Sequence, residues 1–89
     1  MRAVAIFYNN RDYTRTVLDY IEDIRRQTGH EFEVLDPETK EGDDFAKAYE
    51  IVDYPTVIFL EDDGRVGFCK TGLPLPLINE VEYYFSAGV

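Results

Sequence analysis

Eighty-nine residues, 45% hydrophobic and 15% aromatic, describe one globular domain with no room for two independent cores. Eighteen acidic side chains against nine basic ones leave a net charge of −9, which repels polyanions, so nucleic acid and anionic membranes are poor partners. The single cysteine closes no internal disulfide, and no apolar stretch approaches the roughly 20 residues of a membrane span, so a cytoplasmic protein is expected.

Residues 3–8 follow Met1 and Arg2 as a run too short for a signal-peptide core. Apolar on both alternating faces, the run predicts a strand covered on both sides. Asn9-Asn10-Arg11-Asp12 breaks it. A helix is predicted over residues 13–28, with Tyr13, Val17, Tyr20, Ile21 and Ile24 on one face, Asp12 as N-cap and Gly29 as the stop. Residues 31–36 alternate, Phe32 and Val34 against Glu31 and Glu33, which predicts an edge strand with one wet face.

Residues 36–42 read as a polar connection containing Pro37, and a shorter helix is predicted from Asp43 or Asp44, with Phe45, Ala48, Tyr49 and Val52 inward. Pro55 ends any helical pattern, and Thr56-Val57-Ile58-Phe59-Leu60 is again apolar on both faces. The Asp63-Gly64 turn signal leads into residues 65–70 and predicts a hairpin, with Val66 and Phe68 on one face and Arg65, Gly67 and Cys69 on the other. A last helix begins near Pro74-Leu75-Pro76 and buries Leu77, Ile78, Val81, Tyr84 and Phe85. The order is βαβαββα. The doubly apolar strands are expected as central neighbours, the first crossover as parallel and right-handed, and the final pair as antiparallel. The expected fold class is therefore α/β, a four-stranded mixed sheet with three helices on its two faces.

That order, with Tyr54-Pro55-Thr56 opening the third strand, resembles the thioredoxin superfamily, and most closely its short, glutaredoxin-sized form. The likeness is best from Ala46-Lys47-Ala48-Tyr49-Glu50-Ile51 through Val52-Asp53-Tyr54-Pro55-Thr56-Val57 to Asp63-Gly64-Arg65-Val66 and Gly72. It implies a cis Pro55 beside the loop that joins the first strand to the first helix, with Tyr54 offering backbone groups to an extended peptide or to glutathione. The plainer reading is that Pro55 starts a strand, where a missing N–H is harmless.

The sequence departs from the family at that first loop. A leading cysteine at a helix N-terminus has its thiolate favoured by the dipole and the free amides. Here Arg11-Asp12-Tyr13-Thr14 occupies the place of Cys-x-x-Cys, and Ala5 takes the place of the buried carboxylate that many dithiol members carry. Arg11 has no nucleophilic chemistry, and Thr14 has no neighbouring base to activate its hydroxyl. Cys69 maps to the last strand with Lys70 as its adjacent cation, and reads either as a small structural residue or as a reactive thiol.

Further constellations read blandly. His30 stands alone at a polar strand entrance. The acids Asp36, Glu38, Glu41, Asp43 and Asp44 lack calcium-loop spacing and form a solvated loop, while Glu61-Asp62-Asp63 makes a charged hairpin tip. No metal and no cofactor is expected. In the fold that the resemblance implies, Tyr8, Tyr13 and Tyr54 map to loops that converge around Asn9, Asn10 and Arg11, which suits a peptide- or anion-binding surface; alternatively Tyr13 only packs and Arg11 only balances nearby acids.

The expected function is a redox-inactive, peptide- or protein-binding domain, monomeric or weakly dimeric, acting through Asn10, Arg11, Tyr13, Thr14, Tyr54 and Pro55, without catalytic residues. The alternatives are a thiol-linked or glutathione-dependent activity through Cys69, and a structural subunit of a complex.

Overall fold

The strands that are apolar on both faces take the middle of the sheet. The computed structural model describes residues 2–87. Along the chain it runs β1 (Arg2–Ile6), α1 (Thr14–Thr28), β2 (Glu33–Leu35), α2 (Lys40–Ala48), β3 (Thr56–Leu60), β4 (Val66–Thr71) and α3 (Ile78–Ala87). The sheet order is β2-β1-β3-β4. β1 pairs parallel with β2 and antiparallel with β3, and β3 pairs antiparallel with β4, giving a mixed four-stranded sheet.

Alternation along β1 and β3 divides the interior into two layers. Ala3, Ala5, Phe7, Val57 and Phe59 face α1 and α3, which contribute Val17, Ile24 and Val81. Val4, Ile6, Ile58 and Leu60 face α2, which contributes Phe45 and Ala46. Phe59 is fully buried, and the rings of Phe32, Phe68, Tyr84 and Phe85 have centroids 5.1–6.1 Å from its own. Aromatic pairs at such spacing add to simple area burial.

Local chemistry shifts several predicted details. α1 has Tyr13, not Asp12, at its N-cap, and no side chain caps its amides; Gly29 ends it in the left-handed region at φ 79°. α2 starts at Lys40, because the Thr39 hydroxyl accepts from Gly42 N at 3.1 Å and closes its first turn. Glu50, at φ 56°, turns the chain out after Ala48, so Val52 lies beyond the helix and is 81% exposed, and Ala48 is exposed as well.

β2 is a three-residue edge strand in which Leu35 buries toward α2 and Val34 stays exposed. A register shift beside Gly67 pairs Phe68 with Phe59 but Val66 with Leu60, so these residues do not share a face as predicted. Leu77 precedes α3 and is exposed. The His30 ring stacks on Phe85 with centroids 4.2 Å apart, a packed position rather than a purely solvated one.

Candidate functional site

The loop after β1 is built by the first turn of α1 reaching back. Phe7 is the last residue held by the sheet layers, its N–H donating to Leu35 O at 3.0 Å. Tyr8 begins the loop, and side chains satisfy both of its backbone groups. Its N–H donates to the Tyr13 hydroxyl at 3.1 Å, and its carbonyl accepts from the Thr14 hydroxyl at 2.6 Å. Thr14 Oγ1 also accepts from Arg11 N at 3.1 Å, and Arg11 O accepts from Thr14 N at 3.1 Å. The Thr14 hydroxyl is therefore occupied as donor and as acceptor. Asn9, Asn10, Arg11 and Asp12 form the exposed crest of the loop. Asn9 Nδ2 ties the crest to Asp36 Oδ2 at 2.9 Å, and Arg11 donates to Asn10 Oδ1.

A ring contact joins this loop to the next. The Tyr8 and Tyr54 rings meet edge to face with centroids 5.1 Å apart, and the Arg11 guanidinium lies 4.4 Å from the Tyr8 ring centre. A cation over a tyrosine face is attracted by the ring quadrupole. The Tyr54–Pro55 bond is cis. Pro55 is buried, and its carbonyl accepts from Gly72 N at 2.8 Å, which brings in the loop after β4. Thr56 locks the turn from below, its hydroxyl 2.7 Å from Asp53 O and 3.2 Å from Thr71 Oγ1.

Partial burial, and then Tyr8, Asp43, Tyr13 and Asp53, raise the Tyr54 phenol above its ordinary value. Tyr54 thus stays neutral near pH 7, with its hydroxyl 3.3 Å from Ile51 O.

Of the residues singled out in the sequence, Asn10, Arg11, Tyr13, Thr14, Tyr54 and Pro55 fall in this one linked surface, through Tyr8 as the shared ring. Tyr8, Asp36 and Gly72 hold its three loops together. The tyrosine was visible as part of the aromatic convergence. The carboxylate and the glycine become partners only through long-range packing that no local pattern encodes.

Cys69 stands elsewhere, exposed on the edge strand β4 and opposite Ile58. Among the described residues no cluster of His, Cys, Asp or Glu is arranged to hold a metal ion, and no helix is long and apolar enough to cross a membrane.

Sheet order, strand directions and the two helical layers define a thioredoxin-like fold. Among solved structures, the chain is similar to thioredoxin 1 from the thermophilic eubacterium Thermosipho africanus, with a TM-score of 0.68 over 98% of this chain and 92% of that one. Their sequences are 18% identical, so the likeness is one of fold. No family model matches the chain, and no curated protein matches it by sequence.

Proposed function

We propose that this thioredoxin-like domain works by binding, holding an extended peptide or a segment of a protein partner across the loops around Arg11 and Tyr54-Pro55, without thiol–disulfide exchange there. One observation carries the reading: Arg11 over the face of Tyr8, and Tyr8 edge to face with Tyr54, make a continuous surface at the tip of α1, and these three residues carry no sulfur. Two tyrosine rings supply rigid amphipathic contact area at low entropic cost, and the arginine supplies a planar donor. The Thr14 hydroxyl, held between Tyr8 O and Arg11 N, is a structural tie rather than a nucleophile in waiting.

The test is titration of isotope-labelled protein with a panel of extended peptides. Shifts at residues 9–14, 53–56 and 72, weakened by Tyr54→Ala, are expected. Silence at those amides with every peptide up to millimolar concentration overturns the binding reading. The non-redox half is checked by disulfide reduction with a dithiol donor, where no rate above background is expected. A rate that survives in wild type and disappears in Cys69→Ser would establish the thiol alternative.

A further inference from the structure

A separate groove, with a volume of about 660 Å³, lies between α1 and residues 73–78. Its origin is the stretch Leu73-Pro74-Leu75-Pro76-Leu77. Two prolines remove two N–H donors and fix φ near −65°, so the segment extends neither β4 nor α3 and remains a strap. Leu75 packs toward the core and Pro76 is buried, while Leu73 and Leu77 are 53% and 65% exposed. The facing wall is one stripe of α1: Thr16, Asp19, Tyr20 and Asp23, at i, i+3, i+4 and i+7. The charged residues on the lining are Asp19 and Asp23, and neither Lys nor Arg contributes to it. Glu80, in the first turn of α3, adds its field at Tyr20. The Tyr20 hydroxyl lies buried without a hydrogen-bond partner among the described residues.

We infer that this groove docks a segment of a partner protein that presents leucine-like side chains flanked by lysine or arginine. Leu73 and Leu77 give such a segment apolar area to cover, and the carboxylates along α1 give its cations partners. Asp19 and Asp23 already pair with Arg15 at 3.4 Å and Arg26 at 2.6 Å, but these are exposed, weak pairs that a docking cation can replace. The net charge of −9 steers basic segments inward and turns acidic ones away. It also disfavours a second copy of this chain as occupant, because the copy brings the same acids. The strap begins one residue beyond Gly72, which is tied to Pro55 O. The groove nevertheless shares no lining residue with the Arg11–Tyr54 surface, so the two readings stand or fall on different amides.

The probes are a short amphipathic peptide of leucine and lysine, and the same peptide with glutamate in place of lysine, titrated into the labelled full chain. The lysine peptide is expected to shift residues 16–23 and 73–78 and to weaken with added salt; the glutamate peptide is expected to leave them still. Affinity should fall about tenfold in Asp19→Lys/Asp23→Lys, where two weak attractions become repulsions. A comparable loss is expected in Leu73→Ser/Leu77→Ser, whose exposed positions leave the fold intact. Equal shifts with both peptides, shifts confined to residues 9–14 and 53–56, or no shifts at all overturn the inference. Groove amides that move with protein concentration alone would make a second copy the occupant and overturn it too.

Discussion

Replacing Gly42 by alanine sets two physical effects against each other, and the structure decides the sign. By helix propensity alone the change stabilises, since glycine costs about 0.8–1 kcal/mol relative to alanine inside a helix. Gly42 is the third residue of α2 and is buried. A Cβ built there would overlap the carbonyl oxygen of Asp36, lie 2.5 Å from that carbonyl's carbon and stand 3.1 Å from Pro37 N. These neighbours are backbone and cannot swing aside as a side chain would. Asp36 O accepts from Thr39 N at 3.0 Å and from Thr39 Oγ1 at 2.7 Å, while its carboxylate accepts from Glu38 N at 2.8 Å and Asn9 Nδ2 at 2.9 Å.

Relief therefore disturbs hydrogen bonds worth about 1 kcal/mol each, the Thr39 cap, worth about 1 kcal/mol, and local packing, where excess volume costs about 1–3 kcal/mol. Against the propensity gain, the net expectation is a loss of about 2–4 kcal/mol. In a domain of this size that lowers Tm by about 10–20 °C. Urea unfolding followed by circular dichroism measures it, and the amide of Asn9 should shift in the folded variant because its anchor moves. A Gly42→Ala protein with a denaturation midpoint at or above that of wild type would refute the steric reasoning.

Three further outcomes are expected. Burial, and secondarily Glu80, raise the Tyr20 phenol above its ordinary 10.0. Above about pH 10 the unfolded chain loses this proton while the folded chain keeps it, so stability falls as pH rises; below that both states hold it. Tyr20→Phe should flatten this alkaline loss and leave stability at neutral pH unchanged or raised by up to about 1 kcal/mol, since a buried hydroxyl without a partner among the described residues disappears; denaturant midpoints measured against pH check both. Thr14→Val removes the donor to Tyr8 O and the acceptor for Arg11 N, and should cost about 1–2 kcal/mol, with faster hydrogen exchange at the Arg11 amide as the local readout. Cys69 is exposed, so it should react with a thiol reagent in the native state without unfolding, and Cys69→Ser should change stability by less than about 0.5 kcal/mol.

The sheet was legible because its two central strands carry apolar residues on both faces, a pattern that only a two-sided core satisfies. Pro55 and the Asp63-Gly64 turn then bracketed β3 to the residue. What escaped the sequence depended on partners distant along the chain or on single backbone angles. Thr39 carries no local cap signal, because its cue is a hydroxyl meeting one amide and the acidic run after it has the composition of a loop. Glu50 takes a left-handed angle usually given to glycine, so nothing local marked the end of α2 or the exposure of Val52. The shift beside Gly67 changed which face Val66 occupies, and a glycine in a strand is only a weak sign of that. At the site, the aromatic and amide cluster was readable by type, whereas the ties from Tyr13 and Thr14 to Tyr8, and from Gly72 to Pro55, are products of closure.

The absence of sulfur from the α1 tip is itself open to experiment, by restoring it. In Arg11→Cys/Cys69→Ser the only thiol sits just before α1, whose first turn holds no acidic residue. Helix-terminal amides favour an anion by about 0.3–1 kcal/mol at an exposed position, and 1.36 kcal/mol corresponds to one pKa unit. The new thiol should therefore titrate about half a unit below the ordinary value near 8.5, with Asp12 acting against the shift. The rate of alkylation measured against pH reads this directly, and wild-type Cys69 on β4 serves as the reference thiol without a helix end beside it. A midpoint at or above the ordinary value would mean that residue 11 does not face the free amides of α1. The cluster of Arg11, Tyr8 and Tyr54 would then lie beside the helix end rather than over its amides.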